Sequence, residues 1–214
     1  MVSKQELRSE ETKRSILAAA GELFGSRGYD AVTMRDIAKQ AGCSHTTIYI
    51  YFKDKEALLH QLSMPPVQYL IEKMDGLLGQ ELSPDDKLKA MSLATIEFCL
   101  TNRSMYGLVF NTKAGRVDEQ SPKLEINQAR NKLFGKLESA VKGCLGNELP
   151  DERLLLYTRI YFFALYGVIA TYTSSEESVE QLMGRLIPTF QETFEVLLIG
   201  IRSKAEGPWA RTED

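Results

Sequence analysis

Residues 32–55, VTMRDIAKQAGCSHTTIYIYFKDK, read as two short amphipathic helices joined by a tight turn. Thr33 stands where an N-cap belongs, and Asp36, three residues on, is placed to bond back to it. Val32 and Ile37 take the two positions of a hydrophobic staple across that cap. Met34, Ile37, Ala38 and Ala41 recur at helical spacing and give one buried face. Gly42 follows the last of them, where a left-handed backbone ends a helix. The second helix repeats the pattern, with Ser44 as N-cap, Cys43 and Ile48 as staple, and Ile48 and Phe52 turned to the core. His45, Thr46, Thr47, Tyr49 and Ile50 are left pointing outward or sideways. Lys53 and Lys55 follow at once, and Asp54 can cap the next helix. A helix pair of this kind places its second member in the major groove of DNA.

Chemistry divides the candidate DNA-contacting residues. A capping hydroxyl, a phenol and an ammonium suit anionic oxygens, so Thr33, Tyr49 and Lys55 are expected on phosphates. His45, Thr46 and Thr47, in the first turn of the second helix, are expected at base edges. Ile50 meets either a thymine methyl or the sugars. Arg35, Ser44, Tyr51 and Lys53 complete the set.

The spacing T-x-x-x-I-A-x-x-A-G-x-S-x-x-x-x-Y-x-Y-F-x-x-K-E-x-L is carried here by Thr33, Ile37, Ala38, Ala41, Gly42, Ser44, Tyr49, Tyr51, Phe52, Lys55, Glu56 and Leu58. It resembles the TetR family of bacterial transcriptional regulators over about the first quarter to third of the chain. A dozen positions agree at fixed spacing. Many members have Lys-Gly or a similar pair where this chain has His45-Thr46, so the resemblance does not carry over an operator sequence.

With 214 residues the chain accommodates a small DNA-binding domain and a larger helical one. Net charge is −3; residues 1–60 hold 9 Lys and Arg against 8 Asp and Glu, and the remainder 17 against 21. DNA binding must then rest on where cations are placed, not on bulk charge. Three cysteines without C-x-x-C spacing and two separated histidines, His45 and His60, speak against a disulfide scaffold or metal centre. Cys99 and Cys144 read as buried small hydrophobes in preference to a redox pair. The charged N-terminus lacks an apolar signal core, and no run of about 18 apolar residues is read anywhere, so a cytoplasmic protein without a membrane role is expected. No nucleophile elbow, phosphate loop or carboxylate pair with histidine supports an enzyme, and no cofactor is implied.

The rest of the chain reads as all-α, with no strand periodicity or hairpin turn. A first helix is expected over about 9–27, with Ile16, Leu17, Ala20, Leu23 and Phe24 buried. Pro65-Pro66 is expected to break a fourth helix into a piece ending near Ser63 and another from Val67 to about Gly79. Ser83-Pro84-Asp85-Asp86 starts a helix carrying Leu88, Met91, Thr95 and Phe98. A short helix is expected near Met105 to Asn111, a polar loop over Thr112–Gln120, and a long helix from Pro122 to about Gly143. The last two long helices, within Leu154–Tyr172 and Ser178–Ser203, close the fold. This gives a three-helix DNA-binding domain over 9–69 and a helical bundle over 70–205.

Leu154–Tyr172 is apolar nearly all round and must be covered on every side. Pairing the last two helices with their copies in a second subunit covers it, and the family resemblance implies the same homodimer. Met91, Thr95, Phe98, Met105, Phe110, Phe134, Phe162 and Tyr166 are candidates to line a pocket for a small, apolar or planar effector, as the resemblance implies; ordinary core packing is the competing reading. Arg159, a cation among apolar neighbours, pairs with an effector carboxylate, makes an interface ion pair or snorkels to water. The leading reading is a dimeric, ligand-responsive repressor of palindromic operator DNA. The alternatives are a regulator worked by a protein partner or used as an activator, and a helical interaction module.

Overall fold

The computed structural model describes residues 3–107, 110, 119, 122–146 and 149–206, and among these there is no strand. The helices are α1 (Lys4–Arg27), α2 (Met34–Gln40), α3 (His45–Tyr51), α4 (Lys55–Leu78), α5 (Pro84–Thr101), α6 (Arg103–Tyr106), α7 (Glu125–Leu145), α8 (Asp151–Tyr172) and α9 (Val179–Glu206). The expected loop over 112–120 lies outside the described residues except at Glu119. Two compact units form: one from Met1–Tyr69 with Asn102–Arg130, the other from Leu70–Thr101 with Asn131–Asp214. The segment 102–130 thus groups with the first unit, not with the rest of 70–205.

In the first unit α1 packs on α2 and on α6, and α2 packs on α3. Ile16, Ala20, Phe24, Val32, Ile37, Ile48, Phe52 and Leu58 form its core. Leu17 and Leu23 are partly buried against it. α1 starts five residues earlier than periodicity indicated, because Ser3 and Glu6 make a reciprocal capping box.

α4 corrects the expected break. It runs unbroken through Pro65 and Pro66. Each proline removes one rung and costs about 3 kcal/mol in an isolated helix. Here Leu58, Leu59, Ser63, Val67, Leu70, Ile71 and Met74 are all buried, at helical spacing on both sides of the prolines. Burial of that stripe holds the helical path where local propensity would end it. Ser63 Oγ also donates to the Leu59 carbonyl at 2.6 Å.

The second unit is built on α5, α8 and α9, each packed against the other two. Leu88, Met91 and Phe98 of α5, Leu154, Tyr161, Leu165 and Ile169 of α8, and Leu182, Phe190, Phe194 and Leu198 of α9 fill it. Tyr161 stacks on Phe194 with ring centroids 5.2 Å apart, and its hydroxyl shares a 2.8 Å hydrogen bond with Ser92 Oγ. Burial raises the Tyr161 pKa, so the phenol stays neutral. Helix ends are tied by Arg202 of α9. It donates to both Asp85 oxygens, at 2.8 and 2.5 Å, and to the Cys144 carbonyl at 3.0 and 3.2 Å. The guanidinium therefore joins the first turn of α5 to the last turn of α7 and holds the Asp85 carboxyl below its ordinary pKa.

Candidate nucleic-acid interface

α2 and α3 are capped as their sequences require. Thr33 Oγ1 accepts the Asp36 amide at 3.2 Å, and Asp36 Oδ2 accepts the Thr33 amide at 3.0 Å and hydroxyl at 2.7 Å. Those bonds hold the Asp36 carboxyl below its ordinary pKa. Gly42 has φ 70°, the left-handed conformation that turns the chain out of α2. Ser44 Oγ then accepts the Thr47 amide at 3.0 Å and opens α3.

α3 is fixed from one side only. Ile48 and the following Phe52 are buried, whereas His45, Thr46, Tyr49 and Ile50 are exposed, Ile50 at 78%. Thr47 and Tyr51 are half-buried at the flanks. A largely exposed isoleucine beside an exposed tyrosine is an apolar surface that bulk water does not favour and a groove can cover. The His45 ring packs edge-on against Tyr49 at 5.2 Å. Ser44, Arg35, Thr33 and Lys53 are also exposed.

Lys55, expected on a phosphate, makes its contacts within the protein. Its ammonium donates to the carbonyls of Tyr29 at 2.7 Å and Val32 at 2.8 Å, and sits 4.2 Å from the Tyr29 ring centroid. Two of its three donors are thus spent inside the protein, tying the α1–α2 turn to the first turn of α4. Asp54 caps that same turn, accepting the Ala57 amide at 2.8 Å. Sequence reasoning missed the Lys55 contacts because they span 26 and 23 residues. Also missed was the hydrogen-bond contact of His60 with Glu125, residues that no local pattern connects.

The eight candidate effector-lining residues are distributed over several helices. Met91, Thr95 and Phe98 are buried on α5. Thr95 Oγ1 donates to the Met91 carbonyl at 2.7 Å, so its proton is already used. Phe134 of α7 and Phe162 and Tyr166 of α8 make an aromatic cluster, with Phe162 5.7 Å from Phe134 and 4.2 Å from Tyr166. Phe110 belongs to the first unit, its ring 5.5 Å from Tyr106, and the Met105 side chain lies outside the described residues. Burial pushes the Cys99 thiol up and the Cys144 thiol up to about 12, so neither is a ready nucleophile.

α8 leaves Leu156, Ile160 and Phe163 exposed, and α9 leaves Val196 and Ile199. The three on α8 share one face by their spacing. By length and composition α8 could cross a membrane, and 33% of its most apolar window is buried. Arg159 lies half-buried beside this face.

Residues 16–62 match the family model described as bacterial regulatory proteins of the tetR family. The repressor KstR2 of Mycolicibacterium smegmatis is 28% identical over 57% of this chain and 58% of its own length, so the chain matches little more than half of that relative. The uncharacterized HTH-type transcriptional regulator YhgD of Bacillus subtilis is 32% identical over 71% of this chain and 83% of its own. Among solved structures, Bacillus subtilis FadR in complex with stearoyl-CoA has a TM-score of 0.64 at 19% identity, covering 87% of this chain and 98% of that one. That likeness is one of fold.

Proposed function

Because the chain belongs to the TetR family, and is therefore a DNA-binding transcriptional regulator and not an enzyme, we propose that it is a cytoplasmic, dimeric repressor of a palindromic operator, released by a lipophilic effector. The observation that carries the DNA-binding part is α3, a capped helix anchored by Ile48 and Phe52 with His45, Thr46, Tyr49 and Ile50 facing out. We assign base contacts to His45, Thr46 and Thr47, and a thymine methyl or sugar to Ile50. Phosphate contacts go to Thr33, Arg35, Tyr49, Tyr51 and Lys53, with Ser44 holding the helix start. Dimerisation is assigned to α8 and α9, whose exposed apolar residues are the surface a second copy would cover. The two recognition helices then reach successive major grooves about 34–36 Å apart.

The effector assignment is supported by the Phe134–Phe162–Tyr166 cluster and by stearoyl-CoA in the FadR structure. Aromatic side chains suit contact with long apolar or planar molecules. The effector works only through differential affinity. Moving the population from mostly bound to mostly free needs about 5.5 kcal/mol in favour of the released state. Fluorescence anisotropy on an operator selected from random DNA tests this. A long-chain acyl-CoA or a steroid should raise the operator Kd without dissociating the dimer. Operator affinity indifferent to both classes would favour control by a protein partner.

For Lys55 the proposed work is positional. Lys55→Gln should leave the slope of log Kobs against log salt unchanged, while costing about 1–2 kcal/mol of stability for the lost charged hydrogen bonds. A slope shallower by about 0.9 would return Lys55 to the phosphate contacts.

A further inference from the structure

Three hydroxyls meet at the start of α3. Ser44 Oγ lies 2.8 Å from Thr46 Oγ1 and 2.7 Å from Thr47 Oγ1, while accepting the Thr47 amide at 3.0 Å. Among the described residues neither threonine hydroxyl has a further protein partner. A hydroxyl has one proton and two lone pairs. Two O–H···O bonds among three hydroxyls use two of the three protons, so one is left for anything outside. The Thr47 amide fills one lone pair of Ser44. That leaves Ser44 one lone pair and one proton for the two threonines, so one threonine donates to Ser44 and the other receives from it. The donating threonine faces outward as an acceptor only. The receiving threonine keeps its proton, and the roles exchange only when the hydroxyls rotate together.

We propose that Thr46 and Thr47 read DNA as a coupled pair, with Ser44 as the positioning residue that rations a single hydroxyl proton between two base edges. The proposal rests on α3 lying in the major groove, as assigned above. There guanine N7 and O6, adenine N7 and thymine O4 accept, while cytosine N4–H and adenine N6–H donate. An acceptor opposite one threonine is served by the one free proton. An acceptor-only edge opposite the other then faces an oxygen lone pair and is left unpaired, the costly case for a polar group shut away from water. Donor edges are tolerated at either position, since both threonines retain an acceptor. Base preferences at the two positions are therefore not independent.

The test is a cycle of base substitutions. An operator is first selected from a randomised half-site, and the two positions that respond to Thr46→Val and Thr47→Val are identified by anisotropy. All four combinations of donor and acceptor edges at those positions are then titrated with wild-type protein. The acceptor–acceptor combination should bind on the order of tenfold more weakly than the two single changes multiplied together. Ser44→Gly removes the oxygen that holds the protons, at a position where glycine is tolerated as a cap, and should make the two positions multiply simply. Thr47→Val keeps the Ser44 cap and should do the same, which guards against a Ser44→Gly protein that does not fold. Independent base preferences in the wild type, or coupling that persists in Thr47→Val, overturn the proposal. A wild type that selects no DNA sequence overturns the groove reading instead, and this one with it.

Discussion

Phe163→Glu is expected to leave the chain folded but monomeric, and to weaken operator binding by roughly 10²–10⁴-fold, the range over which linking two binding modules raises affinity. Phe163 is 66% exposed on α8, so the new carboxylate meets water in the single chain and nothing in the core is disturbed. In a dimer sealed through α8 and α9 it would be shut among apolar groups, and an unpaired charge there costs several kcal/mol. Ile160 and Leu156, one and two turns away, extend the same surface, and Val196 and Ile199 offer the matching one on α9. Each DNA-reading head alone touches one half-site; joined, the second contact is intramolecular. Sedimentation velocity with and without operator, beside a circular-dichroism spectrum, gives the readout. A Phe163→Glu protein that stays dimeric with undiminished affinity places the interface elsewhere.

Phe194→Ala should lower stability by about 3–5 kcal/mol, the usual cost of emptying a large aromatic site in a close-packed core. Phe194 is 1% exposed and stacks on Tyr161, whose hydroxyl is bonded to Ser92. Removing the ring takes away area, opens a void and frees Tyr161, which bridges α8 to α5 by a buried hydrogen bond. For a chain of this size the melting temperature should fall by roughly 6–20 °C. Thermal unfolding followed at 222 nm decides it, and an unchanged transition would mean that the site collapses without loss.

The helix-turn-helix was legible because its determinants are local. Thr33, Gly42, Ser44 and Asp54 each act within four residues, and each stands where its sequence context put it. The Ser3–Glu6 box was equally local, but the charged run after it hid a helix that the S-x-x-E signal marks. Pro65-Pro66 misled for the opposite reason. Propensity near the prolines argued for a break, while the buried stripe from Leu58 to Met74 keeps its period through them, and packing prevailed. The Lys55 grip and the Arg202 clamp were out of reach, because each joins residues distant in sequence through a long side chain whose direction is set only by the fold. The hydroxyl network at α3 lay between these cases. Its three residues are neighbours, but the proton count needs the distances.

α4 is one helix by path and two by mechanics. Positions 65 and 66 have no amide hydrogen, so the carbonyls of Gln61 and Leu62 lack the rungs that stiffen the rest of the rod. Pyrrolidine rings crowd those same carbonyls and let the helix open on their side, which makes one direction of flexure soft and leaves the others stiff. Lys55 and Asp54 clamp the end of the rod nearest the α1–α2 turn. Any bending of α4 is therefore easiest at its two consecutive prolines.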